Sequence, residues 1–329
     1  MNIKKIGLTA LAASLVSTSA FAGELTASGS ASITVENYSG LQVNTGKAFS
    51  MADSVNLTGS TELDNGMMVS MSFELDAGSD ATPGSFDDHS VTIASDSLGT
   101  FKFSGNSGSS AVSAIDATAA GDIHDTFDGQ IGGSGGVETA TATGDAYMLT
   151  SPGGSNTMLY TLPEMVDGLS VSASYTPQGA TAESSTAWGL TYSGIEGLSV
   201  SFGQGTNDAG DGTAFNADVS TMKASYAYGP ITIAYSDHEF DSATSTRDQD
   251  TKSASISYTV SDAISISYGT ETIDSGETTV DAEFDKISGS FTSGGMTVTL
   301  VSAEAKNISY DTATTEDQDY WGLTVGFAF

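Results

Sequence analysis

The sequence predicts an all-β fold: a 16-stranded antiparallel transmembrane β-barrel with short turns at one rim and long loops at the other. Apolar and polar residues alternate along many short segments, which places the two sets on opposite faces of β-strands. The connections between these segments are alternately short and long, as in bacterial outer-membrane barrels. The longest, residues 104–156, contains no Lys or Arg and many acidic residues. A loop of this length is typical of a functional element, and we expect it to fold into the barrel.

The first 22 residues have the pattern of a secretory signal peptide. Lys4 and Lys5 precede an apolar stretch over 6–16, and Ala20-Phe21-Ala22 fits an A-x-A cleavage site. The apolar stretch is too short to cross a bilayer. We therefore predict a signal peptide over 1–22 and a mature chain over 23–329 that forms one barrel domain. No disulfide bond is expected, because the sequence contains no cysteine.

The mature chain is strongly acidic. Cleavage would leave seven Lys and Arg against 41 Asp and Glu, a net charge of −34. Such a charge excludes nucleic acid as a partner and makes cations the expected counter-species. The mature chain also lacks an apolar run near 18 residues, so an integral membrane form of this protein must be a closed barrel.

The strands follow one another in a regular order. An opening strand alternates from Glu24 onward, seven hairpins follow, and a closing strand ends at Phe329. Asp64-Asn65-Gly66 is a tight-turn signal for the first hairpin. The short turns are predicted at 64–66, 96–99, 163–168, 193–197, 229–230, 261–263 and 292–295. The long connections are predicted at 37–46, 76–88, 104–156, 176–185, 205–218, 236–251, 271–283 and 304–318.

Aromatic side chains near the strand ends support a membrane barrel, since amphipathic rings collect at lipid interfaces. These are Tyr175, Trp188, Tyr192, Tyr226, Tyr228, Tyr235, Tyr258, Tyr268 and Trp321. A soluble sandwich and a β-solenoid are the alternative folds. The sandwich normally has fewer strands of this regularity, and the solenoid has a fixed repeat that is missing here.

The signal, the sixteen-strand plan, the long third loop and the C-terminal segment 321–329 together resemble the general bacterial porins, especially the alphaproteobacterial type. The resemblance implies a homotrimer in the outer membrane of a Gram-negative-type bacterium, among lipid and lipopolysaccharide. It implies passive diffusion of small hydrophilic solutes, short turns on the periplasmic side and a third loop folded inward to narrow the pore. It also implies that the barrel-assembly machinery recognises Phe329 with its neighbours Phe327 and Trp321.

The candidate site residues lie on this constriction loop and on the barrel wall. The loop supplies the acidic residues Asp116, Asp122, Asp125, Asp128, Glu138 and Asp145, and strand parity places Lys102, Lys223, Lys286 and Glu74 on the lumen wall. Charged rings and pore width set the selectivity of channels. Because basic residues are sparse, the sequence predicts a cation-preferring pore. Its selectivity is expected to depend mainly on Asp116, Asp122, Asp125 and Asp128.

Two features leave alternatives open. Asp53 lies at a lipid-facing position between Met51 and Val55, so it marks either a subunit interface or a β-bulge. Acidic loop residues are candidate calcium ligands, with solvated charge as the favoured interpretation because no chelating motif is present. The candidates are Asp87, Asp88, Asp122 and Asp125, together with Asp128 and the segment 316–319.

The sequence contains neither H-E-x-x-H nor G-x-S-x-G, and we do not predict an enzyme or a cofactor. The predicted function is an outer-membrane channel for small hydrophilic solutes. One alternative is an exported acidic surface adhesin or structural β protein. Another is a substrate-specific channel for cationic solutes.

Overall fold

A computed structural model describes residues 25–40, 46–76, 86–127, 154–177, 184–207, 217–243, 248–276, 279–308, 310 and 317–329. Sixteen antiparallel strands form a closed barrel in which sequential strands pair and the last strand pairs with the first. The predicted fold is therefore confirmed, whereas the signal peptide predicted over 1–22 lies outside the described residues. The strands are β1 Leu25–Gly40, β2 Gly46–Glu62, β3 Met68–Asp76, β4 His89–Ser95, β5 Gly99–Asn106, β6 Thr157–Thr161, β7 Leu169–Thr176, β8 Ser185–Ile195, β9 Leu198–Asn207, β10 Ala217–Tyr228, β11 Ile231–Ser242, β12 Gln249–Ser261, β13 Ile264–Ser275, β14 Ala282–Ser293, β15 Met296–Lys306 and β16 Gln318–Ala328.

The seam between β1 and β16 closes the barrel. Its register runs from Ser30 opposite Ala328 to Gly40 opposite Gln318. Beyond the last pair, Phe329 N donates to Gly29 O at 3.0 Å and Gly29 N donates to Phe329 O at 2.9 Å. Phe329 is thus built into the wall. Closure matters because an open sheet edge in hydrocarbon would leave backbone N–H and C=O groups unsatisfied.

The short turns lie where the sequence predicts them, but several long connections are shorter than predicted. β11 and β12 continue to Ser242 and from Gln249, although 236–251 was expected to be a loop. In this outer part of the barrel the outward-facing positions carry acidic residues such as Asp237 and Glu239 in place of apolar ones. The alternation of apolar residues in β11 and β12 therefore stops before the pairing of the two strands does.

The barrel has its apolar face outside. On β11, Ile231, Ile233 and Tyr235 are exposed on the outer surface, while the alternate side chains face the lumen. Tyrosines end this apolar band on the long-loop side. Tyr235 Oη donates to Asp237 Oδ2 at 3.1 Å, so its ring lies in the band and its hydroxyl reaches the first acidic residue beyond it. This position suits an amphipathic ring at a membrane interface.

Within the described residues, the interior contains two apolar clusters, and both involve the third loop. Ala111 and Val112 pack with wall residues of β8, β10 and β11, including Val219 and Phe240. A short 3₁₀ helix, Ile123–Phe127, packs with wall residues of β13–β15 and with Ile308 and Tyr310. The buried core therefore lies between the loop and one side of the wall. No helix of the described residues is long and apolar enough to span a membrane.

Asp53 lies in an undistorted part of the sheet. It pairs with Ala31 in a continuous β1–β2 register, and the β2–β3 register is also free of shifts. Its parity matches that of the exposed Met51 and Val55, so it points outward. A bulge therefore does not explain this outward carboxylate.

Candidate functional site

The third loop lies inside the barrel against the wall. After β5, its described part crosses the strands in order from β7 towards β14. Ala111 N donates to Ser174 Oγ of β7 at 2.9 Å, Ala119 N to Ser236 Oγ of β11 at 2.8 Å, and Ala120 N to Ser253 Oγ of β12 at 2.9 Å. Small hydroxyl side chains of the wall thus satisfy backbone groups of the loop. This path confirms the predicted inward fold.

Glycines in the wall allow the loop backbone to approach closely. A Cβ placed on Gly189 of β8 would lie 2.6 Å from Ala111 O. A Cβ on Gly269 of β13 would lie 2.6 Å from the Cβ of Ala120. Both separations are shorter than van der Waals contact, so any larger residue would displace the loop. These two glycines therefore help to fix its path along the wall.

Two of the predicted lumen lysines bind the loop backbone. Lys223 Nζ of β10 donates to Ala117 O at 2.6 Å, and Lys286 Nζ of β14 donates to Gly121 O at 2.9 Å. Hydrogen bonds from an ammonium group are stronger than those between neutral groups. Both lysines lie on the loop's own side of the lumen. Strand parity predicted that they face the lumen, but it could not show that they bind the loop, because parity gives a face and not a partner.

A buried carboxylate on β13 anchors the middle of the loop. Glu271 is 1% exposed and accepts a hydrogen bond from Thr118 Oγ1 at 2.7 Å and from the backbone N of His124 at 3.3 Å. Its Oε1 also binds Nδ1 of the buried His124 imidazole. The carboxylate therefore joins the two ends of the segment 118–124 to the wall.

Both ring nitrogens of His124 face carboxylates, since Nε2 lies 3.2 Å from Asp125 Oδ1. Burial alone would lower the pKa of His124. The hydrogen bond and charge of Glu271, together with the charges of Asp125 and Asp122, outweigh burial and raise this pKa above its ordinary value. The arrangement therefore favours an imidazolium ion, which has the two N–H donors that the geometry requires.

The predicted acidic residues of the loop occupy different environments. The Asp125 side chain is 72% exposed, towards the lumen. Asp122 Oδ1 accepts a hydrogen bond from Thr118 N at 2.8 Å and so closes a turn. Asp116 is 7% exposed, and burial, followed by the nearby charge of Asp122, raises the pKa of Asp116 to about 7. Asp128, Glu138 and Asp145 lie outside the described residues.

The remaining predicted wall residues lie on the opposite side. Lys102 of β5 and Glu74 of β3 border a polar recess that also includes Asp88. Among the described residues, no three His, Asp or Glu side chains converge on a point where a metal ion could be held. The calcium candidates Asp87, Asp88, Asp122 and Asp125 thus gain no support from their geometry.

Sequence reasoning missed Glu271, the main anchor of the loop. Ile264, Ile266 and Tyr268 are exposed on the outer face of β13, so the odd-numbered Glu271 points inward by the parity that identified Glu74. It was overlooked because 271–283 was assigned to a loop, whereas β13 continues to Ser275. Extending the polar alternation beyond the last apolar residue would have found it.

The sequence profile described as Gram-negative porin matches residues 7–328. The chain belongs to the Gram-negative porin family. It is therefore an outer-membrane porin that forms a channel, and the alternative of a surface adhesin is set aside. Comparison with curated protein sequences gives no match.

Solved porin structures share this barrel at low sequence identity. An anion-selective porin from Comamonas acidovorans superposes with a TM-score of 0.67 at 13% identity, covering 93% of this chain and 99% of its own. A triple mutant of the Rhodopseudomonas blastica porin gives a TM-score of 0.63 at 15% identity, covering 93% of this chain and 100% of its own. At such low sequence identities, the comparison shows only that the folds are similar.

We predict that Glu271→Gln loosens the third loop of this porin. Glutamine keeps an acceptor for Thr118 but removes the charge opposite His124, and losing one partner of a buried ion pair costs about 3–5 kcal/mol. Single-channel recordings in planar bilayers should show increased open-channel noise. Glu304→Gln, on the outer face of β15, removes the same charge and should leave the noise unchanged. Equal noise in wild type and Glu271→Gln would contradict the anchor.

The His124 contact should also make loop anchoring depend on pH. Because the pKa of His124 is raised, its ion pair is fully present below the ordinary histidine pKa and is lost as the pH rises through the raised value. Open-channel noise of the wild type should therefore increase on alkaline titration. His124→Gln should show high noise at every pH, whereas Asp116→Asn should keep the alkaline transition. A transition that persists in His124→Gln would assign it to another group.

Proposed function

We propose that this porin forms a water-filled, cation-preferring pore for passive diffusion of small hydrophilic solutes, with the third loop as its constriction. The distribution of lumen charge carries this proposal. Lys223 and Lys286 are held beside carbonyl groups of the loop, while the Asp125 side chain, next to His124 Nε2, is 72% exposed towards the lumen. Among the lumen lysines that the structure describes, only Lys102 remains on the uncovered wall.

Other inward-facing carboxylates add to the negative charge of the lumen. Glu36 of β1 accepts a hydrogen bond from Tyr320 Oη at 3.2 Å, and Glu74 of β3 accepts one from Asn56 Nδ2 at 3.3 Å. Neither carboxylate is paired with a described lysine or arginine. A narrow aqueous passage lined by one sign of charge raises the local concentration of the opposite ion. Cations should therefore enter more readily than anions of equal size.

The lumen wall below the loop is suited to water and hydrophilic solutes. Inward hydroxyl groups form cross-strand pairs there, such as Ser265 with Ser290 at 2.8 Å and Ser267 with Ser288 at 2.7 Å. Hydroxyl groups both donate and accept, so they can replace part of a solute's hydration shell. Such a wall requires no single solute shape, which supports general diffusion.

We infer that subunits associate through the face formed by β1–β7, which includes a low wall over β3–β7. β4 has 7 residues and β6 has 5, whereas β11 has 12 and β12 has 13. A strand needs about 9–11 residues to cross the hydrocarbon layer, so this low wall is poorly matched to lipid and suits cover by protein. The number of subunits, three, follows from the resemblance to general porins.

Two features beside this low wall agree with the inferred interface. Between Leu25 and Asn106 the only Tyr or Trp is Tyr38, whose hydroxyl points inward to Thr126 O at 2.8 Å. The outer face of β1–β5 therefore lacks the amphipathic rings expected at a lipid interface. The same face carries the outward Asp53, whose charge is better accommodated between subunits than in lipid.

We also propose that the outward side chains at the end of β16 form the assembly signal. Trp321, Phe327 and Phe329 are all exposed on the outer surface, so they are available to the barrel-assembly machinery. Their partners in the seam are backbone groups of β1. The side chains are thus not needed to form the ladder itself.

The proposed selectivity predicts the effect of removing loop charge. Changing Asp116, Asp122, Asp125 and Asp128 to Asn should move the reversal potential in a KCl gradient towards zero, because loop carboxylates that carry a negative charge, above all the exposed Asp125, attract cations to the pore. Changing Asp218, Glu239, Glu283 and Glu304 to their amides removes four charges from the outer face and serves as the control. Anion preference in the wild type, or an unchanged reversal potential in the loop variant, would contradict the proposal.

The inferred interface predicts the effect of a charge placed on it. Met71→Arg, on the outer face of β3, should convert trimers to monomers, because a buried unpaired charge opposes association. Ile256→Arg, on the outer face of β12, should leave the trimer intact in detergent. Light scattering on the detergent-solubilised proteins gives the subunit number. A trimeric Met71→Arg would exclude this face as the interface.

A further inference from the structure

The lumen wall opposite the third loop contains a recess built by β2–β5 and the segments that follow β5 and precede β4. Its cavity volume is about 190 Å³, below the roughly 300–1,000 Å³ common for sites of drug-sized ligands, so it suits only a small solute. Its charged and amide side chains are those of Asn56, Glu74, Asp88, His89, Lys102 and Asn106, and the rest of its lining is serine. Such a surface provides hydrogen bonds and charge, and no apolar contact.

The charges in this recess have opposite signs and are incompletely paired. No described residue forms an ion pair or hydrogen bond with Lys102 Nζ, in contrast to the bound lysines Lys223 and Lys286. Asp88 Oδ1 is shielded from solvent and has no hydrogen-bond partner among the described residues. The Glu74 carboxylate receives a single long hydrogen bond among the described residues, from Asn56 Nδ2 at 3.3 Å. Buried carboxylate oxygens are normally satisfied, so a donor from a solute would be favourable here.

The mixture of charges selects among solutes. An anion would meet Lys102 but be repelled by Glu74 and Asp88, whereas a simple cation would meet the carboxylates but be repelled by Lys102. A solute with both an ammonium and a carboxylate group can bind both signs at once. We propose that this recess is a transient binding subsite for zwitterionic solutes of amino-acid size, with the ammonium at Glu74 and Asp88 and the carboxylate at Lys102.

The subsite rests on the proposed function, because solutes reach it through the open lumen. Its binding must be weak, since a channel site has to release its solute for transport to continue. The recess would then raise the local concentration of zwitterions at the constriction. A cation-preferring porin would thereby gain a preference among solutes of zero net charge, which lumen charge alone does not give.

Alanine is the probe for this proposal, with ethanolammonium, lactate and glycerol as cationic, anionic and neutral solutes of similar size. Alanine should reduce the single-channel current of the wild type in a saturable way, and each of the other three solutes should do so much less. Lys102→Met and Glu74→Gln should each weaken the apparent affinity for alanine about tenfold, the loss expected for one charged hydrogen bond. Lys252→Met and Glu304→Gln, on the outer face, are the matched controls and should have no effect.

The exchange variant Lys102→Glu with Glu74→Lys gives a second measurement. It keeps both signs in the recess and should restore block by alanine that either single exchange abolishes. An open channel whose current alanine does not reduce, or whose block survives both Lys102→Met and Glu74→Gln, overturns the subsite alone. The absence of any open channel overturns the proposed function instead.

Discussion

Hydrocarbon cannot hydrogen-bond to a peptide group, and the rest of this structure depends on that constraint. Every backbone N–H and C=O within the bilayer must find a partner in the protein, so the sheet has to close on itself. The seam between β1 and β16 meets this demand up to the last residue, where Phe329 and Gly29 exchange two hydrogen bonds. Closure also determines the two faces. The outer one carries the apolar residues, and the inner one is left to Ser, Thr and charged side chains.

A polar inner wall changes what can hold a loop inside the barrel. In a soluble protein, a segment of this kind would be held mainly by apolar burial. Here the described part of the third loop packs into two apolar clusters, and its backbone is also bound by serine hydroxyls, two lysines and Glu271. Buried charge is costly unless it is paired, which explains why Glu271 meets the imidazole of His124 as well as N–H and O–H donors. The loop is therefore fixed by polar contacts with defined directions.

Periodicity in the sequence predicted the strands, their order and the lumen-facing side of Lys102, Lys223, Lys286 and Glu74. Parity alone, however, gives a direction without a partner, so it did not show that Lys223 and Lys286 bind loop carbonyl groups. The alternation was followed only to the last apolar residue of β13, so Glu271 was not identified. The burial of Asp116 depends on how the loop packs against the wall, which no local pattern in the sequence describes.

A barrel of the same fold occurs in an anion-selective porin from Comamonas acidovorans, so the fold alone does not determine which ions pass. In this protein, the same residues hold the loop and contribute to the charge of the lumen. Each ammonium group bound to a loop carbonyl keeps its positive charge but is held beside backbone oxygen atoms of the loop, on the loop's side of the lumen. Under the proposed function, the anchoring that holds the loop inside the barrel therefore also determines where two positive charges lie in the lumen. A lysine released from the loop would alter both properties together.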